Sequence, residues 1–208
     1  MRVGIIGSGR VGCALAGGWI EAGHEVVFGS RTPEAVAARV EGKVRAAGVL
    51  PLADAGAFGP VVVLATPFGA LAETLASLGH LTDQVLVDCT NPMAPDLARL
   101  RESGFASGGE RVAAWASGAR VVKCFNITGS ANLAHPLYGN DPLTMPLCGN
   151  DAESKAVTAR LAGDLGFDPV DVGGLDACSL LEAAALLWIR LAYTQGLGPN
   201  IGWKLLRR

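Results

Sequence analysis

The chain has 208 residues, half of them hydrophobic and only 17% charged, so a sizeable core fits within one domain, or one domain with a modest extension. A formal net charge of −2 supplies no field that would draw in nucleic acid or an anionic membrane surface. The five cysteines (Cys13, Cys89, Cys124, Cys148 and Cys178) are scattered, odd in number and never spaced as CxxC, which favours free thiols over a disulfide framework or a zinc site.

Val3–Ile6 is a short apolar run ending at Gly7, the pattern of a strand buried on both faces of a parallel sheet. Val11–Ala22 follows as an amphipathic helix. Glu25–Gly29 is a second strand, Pro33–Ala47 a helix, and Val49–Leu52 a short third strand. Val61–Ala65 and Gln84–Asp88 are further strands, separated by a helix over Phe68–Leu78. Strands alternating with helices of this length indicate βαβ crossovers. The segment Asn91–Gly118 is less regular, although Ser107 and Glu110 form a capping box ahead of a helix through Val112–Ser117. Ala119–Cys124 is another strand, and Phe125–Asp141 is read as loop because it is rich in Asn, Gly, Ser and Pro.

The domain boundary is placed at Asp141. Residues 1–141 then form a Rossmann-type unit, and 142–208 a small αβ extension with strands at Leu143–Cys148 and Pro169–Val172. Its helices run from Asn150–Glu153 to about Leu165 and over Asp176–Tyr193. The expected class is α/β, a mostly parallel sheet with helices on both faces. Leu180–Tyr193 carries Glu182 and Arg190 and is too short to span a bilayer. With a strand beginning almost at Met1, no signal peptide is expected, and the chain reads as cytoplasmic.

Gly7-Ser8-Gly9-Arg10-Val11-Gly12 is a GxGxxG sequence between that first strand and helix. In this context Gly7 makes the tight turn, Gly9 admits a pyrophosphate, and Gly12 lets helix and strand pack closely. Free N–H groups at the helix start hold the phosphates. Dinucleotide-binding domains that select NAD carry Asp or Glu about 20 residues further on, to bind the ribose 2′-OH. Here the second strand runs into Gly29-Ser30-Arg31-Thr32 instead. Ser30 and Arg31 offer a hydroxyl and a guanidinium fork for a 2′-phosphate, so the expected dinucleotide is NADP.

Ala65-Thr66-Pro67-Phe68 and Asp88-Cys89-Thr90-Asn91-Pro92 end two later strands, where ligands bind in open α/β sheets. Thr66, Thr90 and Asn91 are placed to touch ribose or nicotinamide, and Asn126 to hold a carboxamide or an acceptor. The three histidines are dispersed and no metal-ligand spacing exists. No catalytic acid or base is assigned, which suits hydride transfer between redox rings positioned by the protein.

The segments MRVGIIGSGRVG, GHEVVFGSR, VVKCFN, LCGNDAESKAV, LGFDPVDVGGL and LGPNIGWKLLRR together resemble the NADPH-dependent coenzyme F-420 reductase (F-420:NADP oxidoreductase) family and its bacterial relatives. The resemblance spans nearly the whole chain. It implies a Rossmann domain with a small carboxy-terminal extension closing the acceptor site, a homodimer, and hydride exchange between NADP(H) and a deazaflavin. It also implies that Ser30 and Arg31 are the pair that binds the 2′-phosphate. One departure stands out. Archaeal members have a His-Thr-Ile-Pro stretch where this chain has Asn126-Ile127-Thr128-Gly129. VVKCFN is closer to the oxidoreductase domain of the six-transmembrane epithelial antigen of the prostate metalloreductases, which pass electrons from NADPH to a flavin. The expected function is therefore an NADPH-dependent oxidoreductase acting on a deazaflavin (coenzyme F-420) or flavin-like small-molecule acceptor. The alternatives are an imine or 3-hydroxyacid reductase and a non-catalytic NADP-sensing module.

Overall fold

The computed structural model describes residues 1–94, 96, 97, 99, 100 and 106–208. Part of the stretch expected to be irregular (95, 98 and 101–105) lies outside the described residues. The chain begins with β1 (Arg2–Ile6), α1 (Arg10–Glu21), β2 (Glu25–Ser30), α2 (Pro33–Arg39), β3 (Gly48–Pro51), α3 (Leu52–Gly56) and β4 (Val61–Leu64). It continues with α4 (Leu71–Leu78), β5 (Val85–Asp88), α5 (Gly108–Trp115), β6 (Arg120–Lys123), α6 (Ser130–Ala134), β7 (Leu137–Tyr138) and β8 (Asp141–Pro142). The last elements are β9 (Thr144–Gly149), α7 (Ala152–Asp164), β10 (Asp168–Asp171) and α8 (Cys178–Ile189).

Eight strands form one sheet in the order β10-β9-β6-β5-β4-β1-β2-β3. Strands β1 to β6 pair in parallel, in the order of a dinucleotide-binding Rossmann sheet. β9 joins β6 antiparallel, with Val122 opposite Gly149, and β10 pairs parallel to β9. The sheet is therefore mostly parallel α/β, as its sequence pattern predicts, and 142–208 supplies two of its strands.

Both faces are covered, which explains the unbroken apolar runs in β4 and β5. Val61 and Val63 face one cluster with Leu15 and Trp19 of α1 and Leu161 of α7. Val62 and Leu64 face the other, with Leu71 and Leu75 of α4 and Val112 of α5. Trp19 Nε1 donates to the Leu161 carbonyl at 2.9 Å, fixing α1 against α7.

Several elements differ from the pattern-based reading. The helix expected over Pro33–Ala47 stops at Arg39, because Val40 is extended and Gly42 has φ +61°; a 3-10 turn over Gly42–Ala46 follows. The expected loop 125–141 contains α6 and the β7–β8 hairpin. The helix predicted over Asp176–Tyr193 divides into a 3-10 turn, α8, and a wider π-type turn over Arg190–Thr194. Ser107 caps the helix as its position predicts. Ser107 Oγ accepts the Glu110 N–H at 3.1 Å and donates to the Glu110 carboxylate at 2.9 Å, and the helix it opens begins at Gly108. Among the described residues no helix is long and apolar enough to cross a membrane.

Candidate functional site

The carboxyl ends of β1, β4, β5 and β6 open onto one edge of the sheet. Between β1 and β4 the strand order reverses direction, which leaves the crevice where ligands bind in open α/β sheets. Gly7 turns the chain there with φ +117°, and a Cβ on Gly12 would lie 2.0 Å from the Gly7 carbonyl oxygen. Both positions therefore exclude a side chain. Gly9 differs, since no described atom lies within 4 Å of the place its Cβ would take. It precedes α1, whose start has no described side-chain cap and no acidic residue in its first turn. The first N–H groups of a 12-residue helix thus face the opening, with the positive end of its dipole behind them.

Three cavities follow one another along this edge. The first, about 250 Å³, is bordered by Gly7, Ser8, Ser30, Arg31, Thr66 and Pro67. Ser30 Oγ accepts the Thr32 N–H at 3.0 Å. The Arg31 guanidinium lies 3.6 Å from the Glu73 carboxylate, and both side chains are more than two-thirds exposed. Such an exposed pair contributes little, about 0–1 kcal/mol, and leaves the fork available. Arg39, in the last turn of α2, donates to Ser8 Oγ at 2.8 Å. Sequence reasoning missed this second guanidinium. Its only signal was a basic residue late in α2, and its approach to the glycine turn depends on how α2 packs.

The second cavity, about 350 Å³, is bordered by Gly9, Arg10, Val11, the Ala65–Phe68 turn, and Cys89, Thr90 and Asn91. The third, about 320 Å³, shares Arg10, Val11 and Asn91 and adds Asn126, Thr128, Trp188, Tyr193 and Pro199. Arg10 is the one charged residue among its described lining. Of residues 7–12, Ser30, Arg31, Ala65–Phe68, Asn91 and Asn126, only Gly12 lines none of the three, because it packs against Gly7. On α8, Trp188 lines the third cavity, whereas Leu187 faces outward and is half-exposed. Trp188 Nε1 and Asn132 Nδ2 both donate to the Ile201 carbonyl, at 2.8 and 2.7 Å, which pins the tail beside the third cavity.

Phe125 is buried and holds φ +60°, a left-handed conformation that costs a non-glycine residue about 1–3 kcal/mol. It packs edge-on against Trp19 and Phe167, and the turn it makes brings Asn126 to Asn91. Two buried polar atoms along this edge, Thr66 Oγ1 and Asn126 Oδ1, have no hydrogen-bond partner among the described residues. A buried polar group left unpaired is costly, and such atoms mark places where a ligand or water completes the bonding.

Beneath the second and third cavities lies a buried ionic cluster. Lys123 Nζ, at the end of β6, donates to Asp88 Oδ2 at 2.8 Å and to the Thr90 carbonyl at 2.9 Å, and it lies 3.0 Å from Glu182 Oε1. The same Glu182 carboxylate, from α8, accepts the Gly108 and Gly109 N–H groups at 3.0 and 2.9 Å. Burial pulls the Lys123 pKa down, but the Asp88 and Glu182 carboxylates outweigh it and hold the ammonium above the ordinary lysine range. Near this cluster the contact with Cys148, 3.4 Å away, and burial push the Cys178 thiol up. None of the three histidines lines these cavities. His24 instead bridges the chain amino group and Asp164. Among the described residues no group of His, Cys, Asp and Glu is placed to hold a metal.

Residues 2–92 match the family described as NADP oxidoreductase, coenzyme F420-dependent. The chain is 29% identical to the F420-dependent NADP reductase of Methanothermobacter thermautotrophicus, over 92% of this chain and 89% of that protein. It is 30% identical to the metalloreductase STEAP3 of Rattus norvegicus over 89% of its own length, but it spans only 36% of that protein. A solved structure from Arthrobacter sp. FB24, described as a candidate F420-dependent NADP reductase, superposes with a TM-score of 0.87 at 30% identity, covering both chains in full. The likeness to the Arthrobacter structure extends over both whole chains, and the protein belongs to the coenzyme F420-dependent NADP oxidoreductase family.

Proposed function

We propose that the protein binds NADP(H) along this edge and exchanges hydride between it and a deazaflavin (coenzyme F-420) or flavin-like ring acceptor seated in the third cavity. The observation that carries the reading is the alignment of three features: two guanidinium groups, an uncapped helix start, and an orphaned amide oxygen beside an aromatic wall.

The residues present fit the dinucleotide. Ser30 and Arg31, with Arg39 beside Ser8, would hold the 2′-phosphate; the exposed N–H groups after Gly9 would take the pyrophosphate. Thr66, Asn91 and Asn126 would hold the nicotinamide end, with Asn126 Oδ1 accepting from its carboxamide. Bound NADPH supplies the hydride. The chain's part is to orient: Asn91 fixes the Asn126 amide, and Trp188 borders the third cavity, where a bound ring would displace water. That cavity combines an apolar wall with a few polar groups, as planar ligands require, and Arg10 places a positive charge at its border. Segment 142–208, through Trp188, Tyr193 and Pro199, would close the acceptor site.

Leu180 and Leu187 on α8 and Leu197 beyond it are exposed, which supports a homodimer as the working form. Five free cysteines support a reducing, cytoplasmic setting.

Steady-state oxidation of NADPH with coenzyme F-420, FMN and a cyclic imine tests the reading. Turnover with one of the ring acceptors and none with the imine is expected. Turnover with the imine alone would make the protein an imine reductase. Tight NADPH binding without turnover on any acceptor would favour an NADP-sensing role.

A further inference from the structure

We propose that the buried Lys123–Asp88–Glu182 cluster is a positioning device that sets the nicotinamide end of the dinucleotide site, by locking the ends of β5 and β6 to the α8 wall of the third cavity. The inference rests on the reading that the dinucleotide lies along this edge.

The cluster joins four elements at one ammonium. Asp88 closes β5, and its Oδ1 accepts both the N–H and the hydroxyl of Thr90, at 2.9 and 2.7 Å. Lys123 donates to the Thr90 carbonyl, so the N–H, hydroxyl and carbonyl of Thr90 are all fixed from below. The next residue is Asn91, which lines both the second and third cavities and grips Asn126. On the other side Glu182 ties the cluster to α8, on the helix that also carries Trp188, and to the start of α5. Lys123 and Asp88 are wholly buried and Glu182 nearly so. None of the three lines a cavity, so they act through their neighbours.

Stability alone is a weak reason for such a cluster. Desolvating three charges is expensive, and apolar replacements of buried ion pairs are often neutral or stabilising. What an ion cluster provides that an apolar plug does not is one fixed geometry, here shared by Thr90–Asn91 and α8.

The test compares two probes on the full chain. One is 2′,5′-ADP, which carries the adenosine and 2′-phosphate end only, and the other is NADPH. Their affinities are measured by calorimetry for the parent, Lys123→Met and Glu182→Gln. In Lys123→Met the affinity ratio of NADPH to 2′,5′-ADP should fall about tenfold, the scale of one or two misplaced hydrogen bonds. Affinity for 2′,5′-ADP should stay within about twofold. Glu182→Gln keeps the side-chain shape and one acceptor for α5, and should show a smaller fall of the same kind. The emission of bound NADPH, which reports the surroundings of its ring, should shift toward that of free NADPH in step.

If Lys123→Met does not fold, Glu182→Gln, whose side chain borders none of the three cavities, carries the same comparison. A folded variant with lowered thermal stability but an unchanged ratio would overturn the proposal and leave the cluster structural. Equal losses for both probes would overturn it too, because they indicate general loosening. Failure of the parent to bind either probe would instead refute the site reading beneath it.

Discussion

Asn91 and Asn126 hold each other across the ends of β5 and β6. Asn91 Nδ2 donates to the Asn126 backbone carbonyl, and Asn126 Nδ2 donates to Asn91 Oδ1, both at 2.9 Å. This reciprocal grip fixes which way the Asn126 amide points and leaves its Oδ1 buried without a partner among the described residues. If that oxygen accepts from the nicotinamide carboxamide, Asn126→Ala should weaken NADPH about 5- to 10-fold, corresponding to about 1–1.4 kcal/mol. Affinity for 2′,5′-ADP should not change. Calorimetric titration decides, and unchanged NADPH affinity would place the carboxamide elsewhere.

On the proposed reading, Arg31 discriminates NADP(H) from NAD(H) by binding the 2′-phosphate. Its exposed partner Glu73 is displaced at little cost, and a charge-assisted bond to phosphate is worth about 1.5–3 kcal/mol. Arg31→Ala should therefore weaken NADPH by about 10- to 100-fold and leave NADH nearly unchanged. Arg39 already donates to Ser8, so Arg39→Ala should show a smaller loss of the same sign. Equal losses for NADPH and NADH would remove both residues from the 2′-phosphate site.

The glycine turn separates binding from folding. A Cβ at Gly9 has no described atom within 4 Å, so Gly9→Val should leave the thermal midpoint nearly unchanged. It should abolish dinucleotide binding, because the branched side chain would stand where the proposed site places the pyrophosphate. Normal NADPH affinity in this variant would show that the phosphates are held elsewhere.

Two other glycines make opposite demands on stability. A Cβ on Gly109 would come within 2.4 Å of Cys178 Sγ and 3.4 Å of Lys123 Cδ. Gly109→Ala should destabilise by about 1–3 kcal/mol through overpacking, read from urea denaturation. Gly163 lies within α7 with open space at its Cβ, so Gly163→Ala should stabilise by about 0.5–1 kcal/mol. A neutral Gly109→Ala would mean that α5 and α8 yield where the packing predicts they cannot.

The parts legible in the sequence are those set by local pattern. The apolar run into Gly7 gave away β1, the turn and α1, and the Ser107–Glu110 spacing marked the cap of α5. Ser30, Arg31, Thr66 and Asn91 were visible because strand ends in a parallel sheet gather on one edge. The remainder depends on distant contacts. Lys123 reads as part of an ordinary strand until Glu182 arrives from 59 residues away to share its charge with Asp88. Arg39 carries no local signal of its role, since its contact with Ser8 spans 31 residues. The left-handed turn at Phe125 has no local signature at all, because a buried aromatic is held there by Trp19 and Phe167.

Direct hydride transfer to a ring acceptor is the central claim, and isotope transfer tests it most directly. NADPH deuterated at the nicotinamide C4 position is mixed with coenzyme F-420 and the protein in a single turnover, and the reduced acceptor is examined by mass spectrometry. A deazaflavin receives hydride at carbon, where the label does not exchange with water, and the reacting carbons must approach to about 3–3.5 Å. The account predicts that deuterium from one face of C4 appears in the reduced deazaflavin and none in solvent. Absence of label in the acceptor, with NADPH left unoxidised by deazaflavin and flavin alike, would contradict it.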